Sequence, residues 1–93
     1  MKPVEIFYLP GCPYCVKAKK AAAELKEEDE RYSHIPLKLI NEEEETDYAE
    51  NHDYYYVPTA FVNDKKIFEA KPGDSFETIK AGIKEAFEKA LKS

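Results

Sequence analysis

The feature that most constrains this chain is the segment Cys12-Pro13-Tyr14-Cys15, which stands between a strand-like and a helix-like stretch. Residues 3–9 form a nearly continuous run of β-forming side chains, as in a strand buried on both faces. Pro10-Gly11 breaks this run. A helix then begins at Cys12 or Pro13, because proline is favoured in the first helical turn, and strong helix formers continue it to Glu28. The two cysteines are therefore predicted to lie at the junction of a strand and a helix.

A disulfide between these cysteines would be a poor structural staple. It would close a loop of about four residues, for which chain entropy gives only about 2 kcal/mol. Cytosolic proteins, moreover, seldom carry structural disulfides. A redox or metal-binding role is therefore favoured over a structural one.

The position of the pair suggests how it would react. Unpaired N–H groups and the positive end of the helix dipole stabilise a thiolate on Cys12. Cys15 lies one turn later and is predicted to resolve a mixed disulfide on Cys12. Two alternatives are half of a zinc site and two incidental buried cysteines. Zinc needs four ligands, and only His34 and His52 remain as soft partners.

The middle of the chain predicts a second strand, a short helix and a hairpin. Residues 35–40 read as the second strand. Thr46 is predicted to cap a short helix that reaches residue 51. Residues 60–62 and 66–68 form the hairpin, with its turn at Asn63-Asp64.

The C-terminal third predicts a turn followed by a helix. Pro72-Gly73 forms the turn, and Asp74 with Glu77 matches a capping box. Apolar residues at helical spacing mark the buried face of the last helix: Phe76, Ile79, Ile83, Phe87, Ala90 and Leu91. In the first helix the same spacing marks Cys15, Ala18, Ala22 and Leu25.

The order of elements, β-α-β-α-β-β-α, predicts an α/β fold in a single domain over residues 1–93. The β-α-β unit gives a parallel pair with a right-handed crossover, and the hairpin adds antiparallel strands. A four-stranded mixed sheet with helices on both faces accommodates every segment. The chain shows neither an internal repeat nor a linker.

Charge and hydropathy exclude several function classes. The net charge is −5, and no basic patch is available to bind nucleic-acid phosphates. No run of 18 apolar residues predicts a membrane span, and the N-terminus lacks the apolar stretch of a signal peptide. We therefore expect a cytoplasmic protein that binds neither nucleic acid nor membranes.

The Cys-Pro-Tyr-Cys segment at the end of the first strand resembles the active site of dithiol glutaredoxins, within the thioredoxin superfamily. Val57-Pro58-Thr59, directly before a strand, is a second match. The resemblance implies a thioredoxin fold with strand order 2-1-3-4 and a cis Pro58 that faces the cysteines. It also implies that the backbone of Val57 pairs with an extended substrate. Residues implied to contact substrate are Pro13, Tyr14, Val57, Pro58 and Thr59.

Two positions depart from the glutaredoxin pattern. Leu9 stands where glutaredoxins usually carry Lys or Arg, and residues 68–74 lack their usual Gly-Gly pair. Glu69 is expected to add negative charge near an anionic ligand. No cofactor is therefore firmly implied, and glutathione is doubtful as a ligand.

The function implied is that of a dithiol oxidoreductase that reduces protein or small-molecule disulfides, with Cys12 as nucleophile and Cys15 as resolving thiol. Its expected partners are disulfide-containing proteins and a recycling reductant, either thioredoxin reductase or glutathione, and the expected state is a monomer. The alternatives are a dimeric, glutathione-dependent carrier of iron–sulfur clusters and a noncatalytic thioredoxin-fold adaptor.

Other polar and aromatic residues receive ordinary interpretations. Tyr14 is expected to be exposed. Tyr8 and residues 54–56 could line the site, although at least one of the three consecutive tyrosines should be core. A solvated helix face is expected for Lys17, Lys19 and Lys20, with added positive potential near Cys12 as the alternative. The run from Glu42 to Glu45 is expected to be a solvated loop, with a patch that selects basic partners as the alternative. His34 and His52 are expected to be ordinary surface or loop residues.

Overall fold

The computed structural model describes residues 1–93, which form four strands and four helices. The strands are β1 (Val4–Tyr8), β2 (Leu37–Asn41), β3 (Thr59–Val62) and β4 (Lys65–Glu69). The helices are α1 (Pro13–Glu28), α2 (Glu30–Ser33), α3 (Thr46–Glu50) and α4 (Phe76–Leu91). None of the helices combines the length and the apolar character that crossing a membrane requires.

The strands form one mixed sheet in the order β2-β1-β3-β4. The central strand β1 runs parallel to β2 and antiparallel to β3, and β3 is antiparallel to β4. The predicted α/β class, mixed sheet and strand order are confirmed. Since β1 leads directly into α1, the cysteine segment lies at the carboxyl end of the central strand.

One face of the sheet carries the larger core, which α1 and α4 cover. Val4 and Ile6 of β1 point to this face, where they meet the apolar stripes of both helices. The predicted stripe of α1 is buried together with Ala21. In α4 the buried residues are Ile79, Ile83, Ala86, Phe87 and Ala90. Phe76 and Leu91, at the two ends of α4, are only half-buried.

A close approach between α4 and β4 depends on Gly82. A β-carbon placed on Gly82 would lie 2.2 Å from Cδ1 of Phe68. That distance is far inside van der Waals contact, so the phenyl ring occupies the space that any larger side chain would need. The missing side chain of Gly82 therefore allows Phe68 to pack against the main core.

The opposite face of the sheet carries a smaller aromatic cluster beneath α3. Phe7 packs against Phe61 with ring centroids 5.4 Å apart, and against Tyr54 at 5.1 Å. Tyr54 is thus the core member of its run, while Tyr55 and Tyr56 are exposed. The ring of His52 lies 4.8 Å from that of Phe7 and its side chain is only 7% exposed. His52 thus lies in a loop, as one of the two expected settings had it, but its side chain is buried and does not face solvent.

Two predicted helix caps are also wrong. The N-cap of α4 is Ser75, whose hydroxyl accepts from the N–H of Thr78, while Asp74 instead accepts from the N–H of Lys71. The capping box of Asp74 and Glu77 therefore does not form. Thr46 begins α3 without capping it, because its hydroxyl donates to main-chain carbonyls one turn earlier.

The loop after α1 holds a helical turn that was not predicted. It is α2, which begins after Asp29, whose carboxylate accepts from the N–H of Arg31. Tyr32 anchors this turn in the main core with 1% of its surface exposed. The hairpin turn was predicted at the right place, since Asn63 and Asp64 have φ of 52° and 64°, as in a type I′ turn.

Candidate active site

Cys12 occupies the N-cap position of α1, directly after the strand–turn junction. Its backbone is extended, with φ −78° and ψ 121°, and its carbonyl accepts from the N–H of Val16 at 3.1 Å. Pro13 follows as the first helical residue and is exposed. The N–H groups of the first turn have no partner within the helix, so they favour negative charge beside Cys12. The Cys12 side chain is half-buried and therefore partly open to solvent.

Cys15 lies behind Cys12 and is almost entirely inaccessible, with 2% of its surface exposed. Burial, together with the hydrogen bond and charge of its neighbour Cys12, raises the pKa of the Cys15 thiol to about 12, although the N–H of Leu9 and the ammonium of Lys19 act to lower it. Both cysteines are free thiols. At neutral pH Cys15 therefore remains protonated.

The segment before β3 lies beside Cys12, and its Val57–Pro58 peptide bond is cis. The carbonyl of Val57 accepts from the thiol of Cys12, with a distance of 4.0 Å between sulfur and oxygen. No backbone hydrogen bond within the protein uses the N–H or the carbonyl of Val57. A backbone edge without backbone hydrogen bonds thus lies directly beside the half-buried cysteine.

Tyr14 connects the cysteine segment to the loop before α4. Its hydroxyl accepts from the N–H of Gly73 at 2.8 Å, and its ring packs against the main core. Tyr14 is therefore half-buried and not exposed as expected. Gly73 has φ of 94°, a conformation that favours glycine. The sequence marked Gly73 only as a turn residue and gave no signal for its contact with Tyr14.

Thr59 supports the cis-proline segment from within. It is fully buried, and its hydroxyl donates to the carbonyl of Tyr56. Because Thr59 is buried, it can affect substrate binding only indirectly, by fixing the conformation of the loop that ends at Pro58. The structure thus brings five of the residues singled out in the sequence around the cysteines: Pro13, Tyr14, Val57, Pro58 and Thr59. Their roles stay predictions.

Glu69, at the end of β4, anchors the loop that leads into Val57. Its carboxylate accepts from the N–H groups of Tyr55 at 2.5 Å and Tyr56 at 2.7 Å, and it pairs with Lys66 at 2.9 Å. Burial alone would raise the pKa of Glu69, but these donors outweigh it and hold the pKa below its usual range. Three donors therefore surround the carboxylate of Glu69, which holds the loop before Val57 in place.

Replacing Glu69 by glutamine should lower the free energy of unfolding by about 1 kcal/mol at pH 7, the typical net value of one hydrogen bond. Because folding depresses the pKa of Glu69, the stabilisation is present above the pKa of the unfolded state. It is lost as pH falls through the folded-state pKa, which lies below 4.5. Urea unfolding at a series of pH values below 7 should therefore show a difference that shrinks in acid. Glu44→Gln, at an exposed site, is the control, and a difference that grows in acid would contradict the assignment.

Cations and aromatic rings border the site on the α1 side. The ammonium of Lys19 lies 3.8 Å from the centroid of the Tyr8 ring, and that of Lys17 lies 5.2 Å from the Tyr14 ring. Each contact places an ammonium against the face of an aromatic ring. The ammonium of Lys19 also acts on the Cys15 thiol, whose pKa it lowers against the larger effect of burial.

Comparison with known proteins adds two findings. A family model described as Glutaredoxin matches residues 4–67. Glutaredoxin of Haemophilus influenzae is 40% identical to this chain over 68 residues, which are 69% of this chain and 77% of that protein. Both cysteines and the Val57-Pro58-Thr59 segment lie within the residues that the family model matches.

Proposed function

This chain belongs to the glutaredoxin family and is a glutaredoxin-type redox protein, and we propose that it reduces protein or small-molecule disulfides with Cys12 and Cys15. The observation that carries the proposal is the contrast between the two thiols. Cys12 is partly open at a helix N-terminus, while Cys15 is buried behind it. One thiol can meet a substrate, and the other can meet only its neighbour.

The first step is attack by the Cys12 thiolate on one sulfur of the substrate disulfide. A mixed disulfide forms between Cys12 and the substrate, and the second substrate sulfur leaves as a thiolate that takes up a proton. Cys15 does not compete, since burial keeps its pKa near 12 and its thiol protonated. The order of attack therefore follows from the burial of the two sulfurs.

The second step is attack by Cys15 on the sulfur of Cys12. Formation of the mixed disulfide removes the charge and the hydrogen bond of Cys12, both of which raise the pKa of Cys15. Cys15 thus loses its proton more readily after the first step than before it. The product is a Cys12–Cys15 disulfide and a second substrate thiol, so two electrons have passed from the protein to the substrate.

The substrate segment is proposed to lie in extended form along Val57. Its backbone N–H and carbonyl have no partner in any backbone hydrogen bond of the protein. A substrate strand can use both groups, as in β-strand addition, and this would hold its disulfide above Cys12. The side chains of Tyr55 and Tyr56, the two residues before Val57, are exposed. Cysteine-containing peptide segments of proteins are therefore the favoured substrates.

Recycling the oxidised protein requires an external two-electron reductant, and the proposed donors are glutathione and thioredoxin reductase. The test is insulin reduction followed with each donor in turn, glutathione with glutathione reductase against NADPH with thioredoxin reductase. We expect turnover with at least one donor, and the faster donor identifies the partner. If neither donor nor dithiothreitol supports insulin reduction above the uncatalysed rate, the proposed function is wrong.

A further inference from the structure

Three side chains with metal-ligating atoms meet on the aromatic face of the sheet, at the end away from the cysteines. Glu5 lies on β1, His52 follows α3, and Asp64 lies in the turn between β3 and β4. One ligand atom from each lies within 4.8 Å of the others. The three residues are far apart in the sequence, so no local sequence motif could predict this cluster.

His52 is fixed in the orientation that a metal ligand requires. Its ring packs against Phe7 and against the edge of Phe61, with both centroids 4.8 Å away. Its Nδ1 lies 2.8 Å from the carbonyl oxygen of Tyr48, which can only accept. The proton of the neutral ring is therefore on Nδ1, and Nε2 carries a free lone pair. Metal-binding histidines are commonly oriented in this way through a backbone carbonyl.

The groups that face Nε2 are also acceptors. Nε2 lies 3.6 Å from Oδ1 of Asp64, and Glu5 is a carboxylate on the central strand with only 8% of its surface exposed. The hydroxyl of Tyr48 donates to Glu5 and stays protonated, because this hydrogen bond and burial raise its pKa to about 12. Tyr48 thus supports two of the three groups at once. The lone pair of Nε2 and the two carboxylates therefore converge within 4.8 Å of one another.

We propose that Glu5, His52 and Asp64 bind a divalent transition-metal ion of the zinc type. Tetrahedral zinc with bonds of about 2.1 Å separates its ligands by roughly 3.4 Å, close to the 3.6 Å between His52 and Asp64. An imidazole among the ligands favours zinc over calcium or magnesium, which prefer oxygen alone. Asp64 is 84% exposed and at a turn, so its side chain is free to close the site.

The fourth position would be taken by water. A cavity of about 570 Å³ adjoins His52 and Asp64 and opens to solvent beside them. The one cation on its wall is Lys66, whose ammonium is engaged by Glu69 at 2.9 Å. A metal ion that enters through this cavity therefore passes Asp53 and Asp64, and the only positive charge on the wall is already paired.

The test must separate this site from the cysteines, since thiolates also bind zinc. Titration calorimetry with zinc sulfate should therefore use the Cys12→Ser/Cys15→Ser protein. We expect one ion per chain. Asp64→Asn and His52→Asn should each weaken binding by at least about tenfold, the lower end of the loss caused by removing a supporting group. His34→Asn, at the exposed histidine, should leave binding unchanged.

Asp64→Asn guards against a folding artefact, because its side chain is exposed and asparagine tolerates its positive φ. Cobalt in place of zinc should give a visible spectrum without the sulfur-to-metal band in the near ultraviolet. Absence of binding would overturn the proposal, and so would binding that His52→Asn and Asp64→Asn leave unchanged.

Discussion

Replacing Cys12 by serine is expected to reduce insulin-reducing activity to the uncatalysed rate. Cys12 is the partly open sulfur at the start of α1, whereas Cys15 is 2% exposed and has a thiol pKa near 12. Cys15 is therefore too buried to reach a substrate in place of Cys12. The measurement is insulin turbidity with dithiothreitol as the donor, compared with wild type and buffer.

The matched variant is Cys15→Ser, which should still perform the first attack. Without the resolving thiol, the mixed disulfide on Cys12 should accumulate, and intact-mass analysis under non-reducing conditions should show the added substrate. Cys12→Ser should show no such adduct. Retained activity in Cys12→Ser, or adducts on Cys15 in that variant, would contradict the order of attack.

Replacing Gly82 by alanine should destabilise the protein, although alanine is the better helix former. Glycine inside a helix usually costs about 1 kcal/mol relative to alanine. Here the added methyl group would lie 2.2 Å from the ring of Phe68, and overpacking of this kind costs about 1–3 kcal/mol. We expect a net loss of about 1 kcal/mol or more in urea unfolding at pH 7.

A second background reverses the sign of this effect. In Phe68→Ala the ring is absent, so Gly82→Ala should then stabilise the protein by about 1 kcal/mol, its intrinsic helix propensity. The double-mutant cycle isolates the contact between the two residues. A stabilising Gly82→Ala in the wild-type background would show that Phe68 moves aside at little cost.

The parts of the fold that could be predicted are those with local signals. The β-forming run of residues 3–9 ends at Pro10-Gly11, and Pro13 marks the first turn of α1. The position of the cysteines between a strand and a helix could therefore be predicted from one short stretch of sequence. Asn63 and Asp64 tolerate positive φ, which located the hairpin turn. The identity of the fold followed from resemblance, which the comparisons then confirmed for residues 4–67.

The parts that could not be predicted depend on competition or on distant partners. Asp74 and Ser75 are both good caps, and the choice of Ser75 follows from where Asp74 turns to meet Lys71. Glu69 reads as a surface charge until the loop before Val57 is folded onto it. His52 lies in a loop, and its burial could not be predicted because the rings that bury it come from β1 and β3.

The burial of Cys15 directly behind Cys12 also bears on damage by peroxides. A peroxide converts an exposed thiolate to a sulfenic acid, which further oxidant carries irreversibly to the sulfinic acid. Here the nearest nucleophile to such a sulfenic acid is the thiol of Cys15. Condensation of the two would release water and give the Cys12–Cys15 disulfide. An oxidative injury would thus end in the same state as an ordinary turnover, and the same reductant would repair it.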